Sequence, residues 1–185
     1  KVSGRYTAIA RYKVVSDKFD PNDLGYLDRN NYVDYGLTQT YNIYKPFGKF
    51  ASMFNTVDIG LGNLFTPRHY TFFTINGRHI FTTKKWFTFG FNWVTNPIHS
   101  YDYFEARVKE RFILYPRNVG GGGFISSDYR KKFALDGGIN YRVFFERNRT
   151  IFSYNVAPRF RVNDKLFIVY KWEQEKKVDN VGYVA

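Results

Sequence analysis

The sequence predicts an all-β protein: an antiparallel up-and-down transmembrane β-barrel, built as a meander of about nine or ten long strands. Three observations carry the prediction. The first is a two-residue alternation that keeps recurring. Phe87, Phe89, Phe91 and Trp93 fall on one side of their segment, with Thr88, Gly90 and Asn92 on the other. Phe133, Leu135, Ile139, Tyr141 and Val143 likewise oppose Lys132, Asp136, Asn140 and Arg142. Successive side chains of a strand point to opposite faces, so each such strand has one greasy aromatic side and one polar side. The second observation is length: most alternating segments reach about ten residues, against five or six for the usual globular strand, and ten tilted residues cross a hydrocarbon slab. The third is what is missing. No helical period recurs, and no run approaches the roughly eighteen apolar residues of a transmembrane helix.

Composition agrees with this reading. Aromatic residues make up 21% of the 185 residues, mostly Phe and Tyr, with a single Met. Tyr, Phe, Trp and Thr favour strands. The mean hydropathy of -0.45 says little, because half of every barrel strand is polar. Cysteine is absent, which excludes a disulfide framework and a zinc-thiolate site. The net charge of +12 is scattered over many segments rather than gathered in one block. It suits a lumen lining, solvated loops or an anionic lipid surface better than one polyanion-binding patch.

The first strand is expected from Arg5 to Val15, with Tyr6, Ala8, Ala10, Tyr12 and Val14 opposing Arg5, Thr7, Arg11 and Lys13. A polar loop with Pro21, Asn22 and Asp23 as turn formers follows. The second strand runs from Asn31 to Lys45, with Val33, Tyr35, Leu37, Tyr41 and Ile43 on its apolar side, and Pro46-Phe47-Gly48 turns the chain. The third, Phe50 to Phe65, opposes Met53, Val57, Ile59 and Leu61 to Thr56, Asp58, Gly60 and Gly62, and Pro67 ends it because proline cannot donate to a ladder. The fourth runs from Tyr70 to Thr83. Asn76-Gly77 is a hairpin signal in isolation, but the alternation keeps its phase through it and the strand reads as continuous. Lys84-Lys85 turns into the fifth strand, Trp86 to Thr95.

After Asn96-Pro97 a sixth strand is expected from Tyr103 to Leu114, with Glu105, Arg107, Lys109 and Arg111 on its polar side and Glu110 intruding on the greasy one. Gly120 to Gly123 reads as a flexible loop, not a phosphate-binding loop, since no Gly-Lys-Ser/Thr follows. The seventh strand spans Tyr129 to Glu146, the eighth Thr150 to Val162 after a turn at Arg147-Asn148, and the ninth Lys165 to Glu175 after a turn at Asn163-Asp164. A tenth starts near Asn180 and is cut short. Single-chain bacterial barrels have even strand numbers. The count, and an end without a complete terminal strand, point to a single segment, 1–185, of a larger barrel with no second domain.

Several stretches carry a family resemblance: Tyr101-Asp102-Tyr103-Phe104-Glu105-Ala106-Arg107, the run from Gly121 through Ser126-Ser127-Asp128-Tyr129-Arg130 to Gly138, and Asp164-Lys165-Leu166 leading to Asn180-Val181-Gly182-Tyr183-Val184. Together they resemble the C-terminal barrel of a Bacteroidota outer-membrane family of unknown function, whose full-length members usually carry an N-terminal module similar to carbohydrate-binding family 9. Residues 90 to 185 carry the resemblance, and the earlier part shares only the pattern. The resemblance implies an outer-membrane location and a glycan-related role, and brings no catalytic residues with it.

Glu105, Arg107, Lys109 and Arg111 form the densest charge set on one face. Together with Asp58, Asp136, Arg142 and Arg159 they are the candidate lumen charges, either selecting anions or pairing across the lumen to plug it. The candidate lipid-facing residues are Phe87, Phe89, Phe91, Trp93, Leu135, Ile139, Tyr141 and Val143. Tyr32, Tyr44, Phe47, Trp86, Tyr101, Tyr103 and Trp172 lie near strand ends and suit an interfacial aromatic girdle, with sugar stacking as the other reading. His69, His79 and His99 lack metal-ligand spacing, so no metal and no cofactor is assigned. His99-Ser100 and Ser126-Ser127-Asp128 hold the residue types of a nucleophile dyad but read as turn formers.

The expected function is therefore that of a non-enzymatic membrane anchor or passage in the bacterial outer membrane, handling glycans or other nutrients at the cell surface. Its expected partners are outer-membrane lipid and lipopolysaccharide, with other outer-membrane proteins or a surface glycan, and no nucleic acid. Two other classes remain open: an outer-membrane hydrolase with a surface-loop site, and a soluble secreted β-domain that binds anionic polymers.

Overall fold

The structure is a computed structural model and describes residues 5–20, 29–105 and 111–180. Twelve strands appear there and no helix: β1 (Tyr6–Val15), β2 (Tyr32–Ile43), β3 (Phe50–Leu64), β4 (Tyr70–Thr83), β5 (Thr88–Asn96), β6 (Ser100–Asp102), β7 (Ile113–Tyr115), β8 (Asn118–Ser126), β9 (Phe133–Phe144), β10 (Thr150–Arg161), β11 (Phe167–Val169) and β12 (Trp172–Val178). Ten of them form one antiparallel meander in the order β1-β2-β3-β4-β5-β8-β9-β10, with β11 and β12 both on the outer edge of β10, and β6 and β7 pair separately. The sheet is open: β1 and the β11–β12 edge do not pair with each other.

β11 and β12 are two halves of one strand. Arg159 faces Val169 and Val156 faces Trp172, so the register is the same on both sides of the gap. The gap lies opposite Pro158, which has no N–H to give to a ladder. Its carbonyl still accepts from the Tyr170 N–H at 3.1 Å.

The register puts every apolar side on one face. Side chains of cross-strand partners share a face. Leu37 faces Ile59, Ile59 faces Ile75, and Phe81 faces Phe89. Phe89 faces Ile125, Gly123 faces Ile139, and Tyr141 faces Phe152. The polar side is equally continuous: one row runs Thr7, Thr40, Thr56, Arg78, Asn92, Gly122, Asn140, Ser153, Glu175 across the whole sheet.

Burial runs opposite to that of a soluble domain. The buried hydrophobic residues Val15, Tyr32, Leu64, Ala134, Phe144 and Ala157 all lie on the polar face, and no large side chain among the described residues is fully buried. Tyr35, Phe91, Ile139, Tyr141 and Phe160 lie on the apolar face and are 45%, 47%, 51%, 49% and 50% exposed. A monomeric soluble protein rarely exposes so large a contiguous apolar patch.

Four expectations need correction. Gly120 to Gly123 is not a flexible loop but the middle of β8, paired on one side with β5 and on the other with β9. The glycines answer to bulky or polar neighbours rather than to a turn: a Cβ at Gly122 would lie 2.1 Å from Asn140 Oδ1 and 2.4 Å from the Ile139 carbonyl oxygen. The sixth strand, Tyr103 to Leu114, does not join the sheet. Among the described residues only the short β6–β7 hairpin forms there, and the main sheet passes straight from β5 to β8. Residues 129–132 belong to the turn before β9 rather than to the strand. Tyr32, assigned to an outer girdle, is instead buried on the polar face. The tenth strand falls on residues 181–185, outside the described residues.

Other expectations hold. β4 runs unbroken through Asn76-Gly77, because Gly77 faces Trp93 and leaves the space its indole fills; a Cβ there would lie 2.4 Å from the ring. Arg147 and Asn148 turn β9 into β10, both with positive φ, 50° and 56°. Arg149 N–H closes the turn on the Glu146 carbonyl at 3.0 Å.

Candidate functional site

The two ends of the sheet differ. At one end lie the short connections 44–49, 84–87, 127–132 and 162–166; at the other lie the two long ones, 16–31 and 97–117, together with the short connections 65–69 and 145–149. The long-loop end carries an aromatic cluster. The Tyr70 and Tyr101 ring centroids are 6.1 Å apart, Tyr101 meets Phe112 at 5.1 Å, and Tyr103 meets Phe112 at 5.4 Å. Arg29 lies over both Tyr32 and Phe104, 5.4 and 5.3 Å from the ring centroids. Arg29, Tyr32, Asp34, Ser100, Tyr101 and Phe104 line a cavity of about 140 Å³. Burial pushes the Tyr103 phenol up, with Tyr101 adding to it.

The four lumen candidates within the sheet, Asp58, Asp136, Arg142 and Arg159, all lie on its polar face. Arg11 donates to the Thr38 hydroxyl at 2.6 Å, Thr38 donates to the Asp58 carboxylate, and Arg11 stands 3.6 Å from Asp58. Asp136 accepts from the Tyr129 hydroxyl at 2.6 Å. The Arg159 guanidinium lies 4.3 Å from the Tyr129 ring centroid and 5.2 Å from that of Phe167, and its buried Nε has no hydrogen-bond partner among the described residues. Arg142 donates from Nε to Asn118 Oδ1 at 3.0 Å.

The expected charge ladder is only partly within the described residues. Glu105 and Arg111 lie off the main sheet in the excursion between β5 and β8, and Arg107 and Lys109 lie outside the described residues. Alternation in a short window cannot tell a strand from an irregular segment whose polar residues happen to alternate.

Of the lipid-facing candidates, Phe89, Phe91, Trp93, Leu135, Ile139, Tyr141 and Val143 share the apolar face. Phe87 sits one residue before β5, its ring 6.3 Å from that of Phe89. His79, weighed in the sequence only as a metal ligand, also lies on this face. It stacks on Phe91 at 4.4 Å, meets Asn55 Oδ1 at 2.9 Å through Nδ1, and accepts from the Trp93 indole at 3.2 Å. Both ring nitrogens are thus partnered within the sheet, which suits an imidazole on an apolar surface.

The residues of a hydrolytic dyad are kept apart. Ser126 and Asn96 are the two ends of the β5–β8 pairing, so His99 lies beyond one end of the sheet and Ser127 and Asp128 beyond the other. Ser127 Oγ accepts from the Leu135 N–H at 2.6 Å, and Asp128 is held by Arg130 at 2.7 Å. That hydrogen bond draws the Asp128 carboxyl down from 3.8 to about 2. A depressed carboxylate contributes its stability above the ordinary range and loses it as the pH falls through the folded value. A carbon-13 titration of Asp128 is therefore expected to show a midpoint near 2, moving back toward 3.8 in Arg130→Gln. Identical midpoints in the two proteins would break the pair.

Among known proteins, a family model described as Domain of unknown function (DUF5916) matches the whole chain, residues 1–185. No curated protein matches, and no solved structure does.

Proposed function

Starting from the chain's membership of the DUF5916 family, we propose that it is part of an outer-membrane β-barrel that serves as an anchor or a passage for hydroxyl-rich solutes such as glycans. One observation carries the reading: the sheet turns a continuous apolar face outward and keeps its buried side chains on the polar face. Lipid satisfies that arrangement; water does not. Two further features support it. Both long loops lie at one end, and the other end has short turns alone, as in barrels whose long loops face outward. The polar row offers Thr, Asn and Ser with one Arg and one Glu, a lining of hydroxyls and amides that suits polyols.

In hydrocarbon every backbone polar group must be paired, so the two free edges require completion. β1 and the β11–β12 strand both run from the short-turn end to the long-loop end. Pairing them directly would be parallel, so antiparallel closure takes an odd number of further strands and gives an even total. A second copy inserted in the same orientation presents only parallel edges and does not close the sheet in this way.

The test is fractionation of the native protein with gel migration before and after boiling. The reading expects extraction only by detergent and a compact unboiled species. A monomer soluble in plain buffer would overturn it, and would require the greasy face to be covered by protein. Deleting the gene and finding oligosaccharide uptake unchanged would remove the passage role while leaving the anchor.

A further inference from the structure

At the long-loop end of the polar face the fold assembles two arginines without an acid. Phe144 and Asn118 are cross-strand partners, and Phe144 N–H donates to the Arg149 carbonyl at 2.9 Å. Arg149 therefore stands opposite Phe144 across the β9–β10 hairpin, on the same face. Arg142 is two residues before Phe144 and shares that face too. The tight turn at Arg147-Asn148, closed by the Arg149 N–H on the Glu146 carbonyl, fixes where Arg149 sits.

The two guanidiniums converge on one ring, 5.6 Å (Arg142) and 4.2 Å (Arg149) from the Phe144 centroid. Asn118, 3% exposed, holds Arg142 by its Nε. Gly120 faces Arg142 and gives its stem room: a Cβ there would lie 3.1 Å from Arg142 Cγ. Arg142 lines a groove with Asn92, Gly120 and Asn140, and Nε is its one hydrogen-bonding side-chain atom among the described residues.

No carboxylate among the described residues forms an ion pair with either arginine. Two acids are near by sequence or groove. Glu146 is exposed in the hairpin turn, and Glu175, which borders the groove, is paired to Lys177 at 2.7 Å. Arg149 donates one terminal N–H to Asn180 Oδ1 at 2.8 Å, while its buried Nε has no acceptor among the described residues. Half-buried like charges side by side are unfavourable unless an anion joins them, and guanidinium forks match the oxygens of phosphate, sulfate and carboxylate.

We propose that Arg142, Arg149 and Asn118 form a binding site for an oxyanion, carried by a solute at the long-loop mouth of the barrel. The site deepens the passage reading and rests on it for the lumenal placement. It accounts for an acid-free arginine pair on a polar face where Arg11 does have its carboxylate, Asp58.

The experiment is calorimetric titration of the detergent-extracted protein with inorganic phosphate at low ionic strength. Saturable binding is expected, weakened by about tenfold or more in Arg142→Gln and in Arg149→Gln, as for loss of one charge-assisted pair. Arg142→Lys keeps the charge without the fork and should fall between. Arg130→Gln, at the far end of the sheet, should bind as the wild type does. Because Arg149 belongs to a surface turn, its variant keeps the test usable if Arg142 variants do not fold. Competition by vesicles containing lipid A would support the oxyanion chemistry but assign it to a lipid headgroup; vesicles without effect support a soluble solute. Equal phosphate binding by wild type and both glutamine variants, or no binding by a wild type that migrates compactly, overturns the site. A wild type that binds through both arginines but does not migrate compactly overturns the barrel reading and leaves the site.

Discussion

Ile139→Arg is expected to destabilise the protein in lipid vesicles by about 2–4 kcal/mol, the cost of a basic residue near the middle of a lipid-facing strand. Ile139 is central in β9, lies on the apolar face and is 51% exposed. On the surface of a soluble domain, a residue this exposed would tolerate arginine to within about 0.5 kcal/mol. Hydrocarbon reverses the preference, because it penalises the charge that water would welcome. Ser153→Lys provides the comparison. Ser153 pairs with Asn140, on the opposite face from Ile139, and should accept lysine to within about 0.5 kcal/mol. Urea unfolding from vesicles reads both. Equal costs for the two variants, or no cost for Ile139→Arg, would remove lipid from the apolar face. A loss for Ile139→Arg in a protein that also stays dissolved without detergent would report a second protein layer instead.

The second large effect is expected at Gly122. Its missing Cβ is the space that Asn140 and the Ile139 carbonyl occupy, at 2.1 and 2.4 Å. A flexible amide can swing away, but a backbone oxygen in a ladder cannot, so even Gly122→Ala must push β8 away from β9. Overpacking of this kind costs about 1–3 kcal/mol, and Gly122→Val should exceed that. Gly123 is the contrast one residue on: a Cβ there would lie 3.5 Å from the Gly90 carbonyl oxygen, ordinary contact, so Gly123→Ala should be near neutral. Thermal migration shifts of the folded species would rank the three variants. If Gly122→Ala and Gly123→Ala behaved alike, Gly120 to Gly123 would be the loop that their composition suggests, and the β5–β8–β9 pairing would be wrong.

These two positions also show where sequence reading succeeds and where it stops. Alternation is a property of one strand at a time, so Ile139, Tyr141 and Phe91 could be assigned to a greasy side from spacing alone. The Arg147-Asn148 turn was legible for the same reason: its signal is local. Gly120 to Gly123 was not, since glycine is the residue of both a mobile loop and a crowded strand, and only the neighbours distinguish them. The 103–114 segment failed in the opposite direction: its charges alternate well, yet β5 finds its partner in β8.

The candidate sites divide along the same line. Asp58, Asp136, Arg142 and Arg159 could be placed on a polar side by parity, but their partners could not. Asp58 meets Arg11 from a strand distant in sequence only because the register brings Arg11 beside Thr38 and Asp58. Arg149, in a turn, has no alternation to mark it; the hairpin geometry puts it opposite Phe144 and beside Arg142.

By itself the sequence determined the all-β class, the long strands and which side of each strand is greasy, because these follow from local spacing and composition. The tertiary structure decided that all greasy sides fall on one exposed face, that a glycine run is a central strand, and that two arginines share one ring without an acid. Each of these depends on cross-strand register, and register is fixed by pairing between residues far apart in the chain.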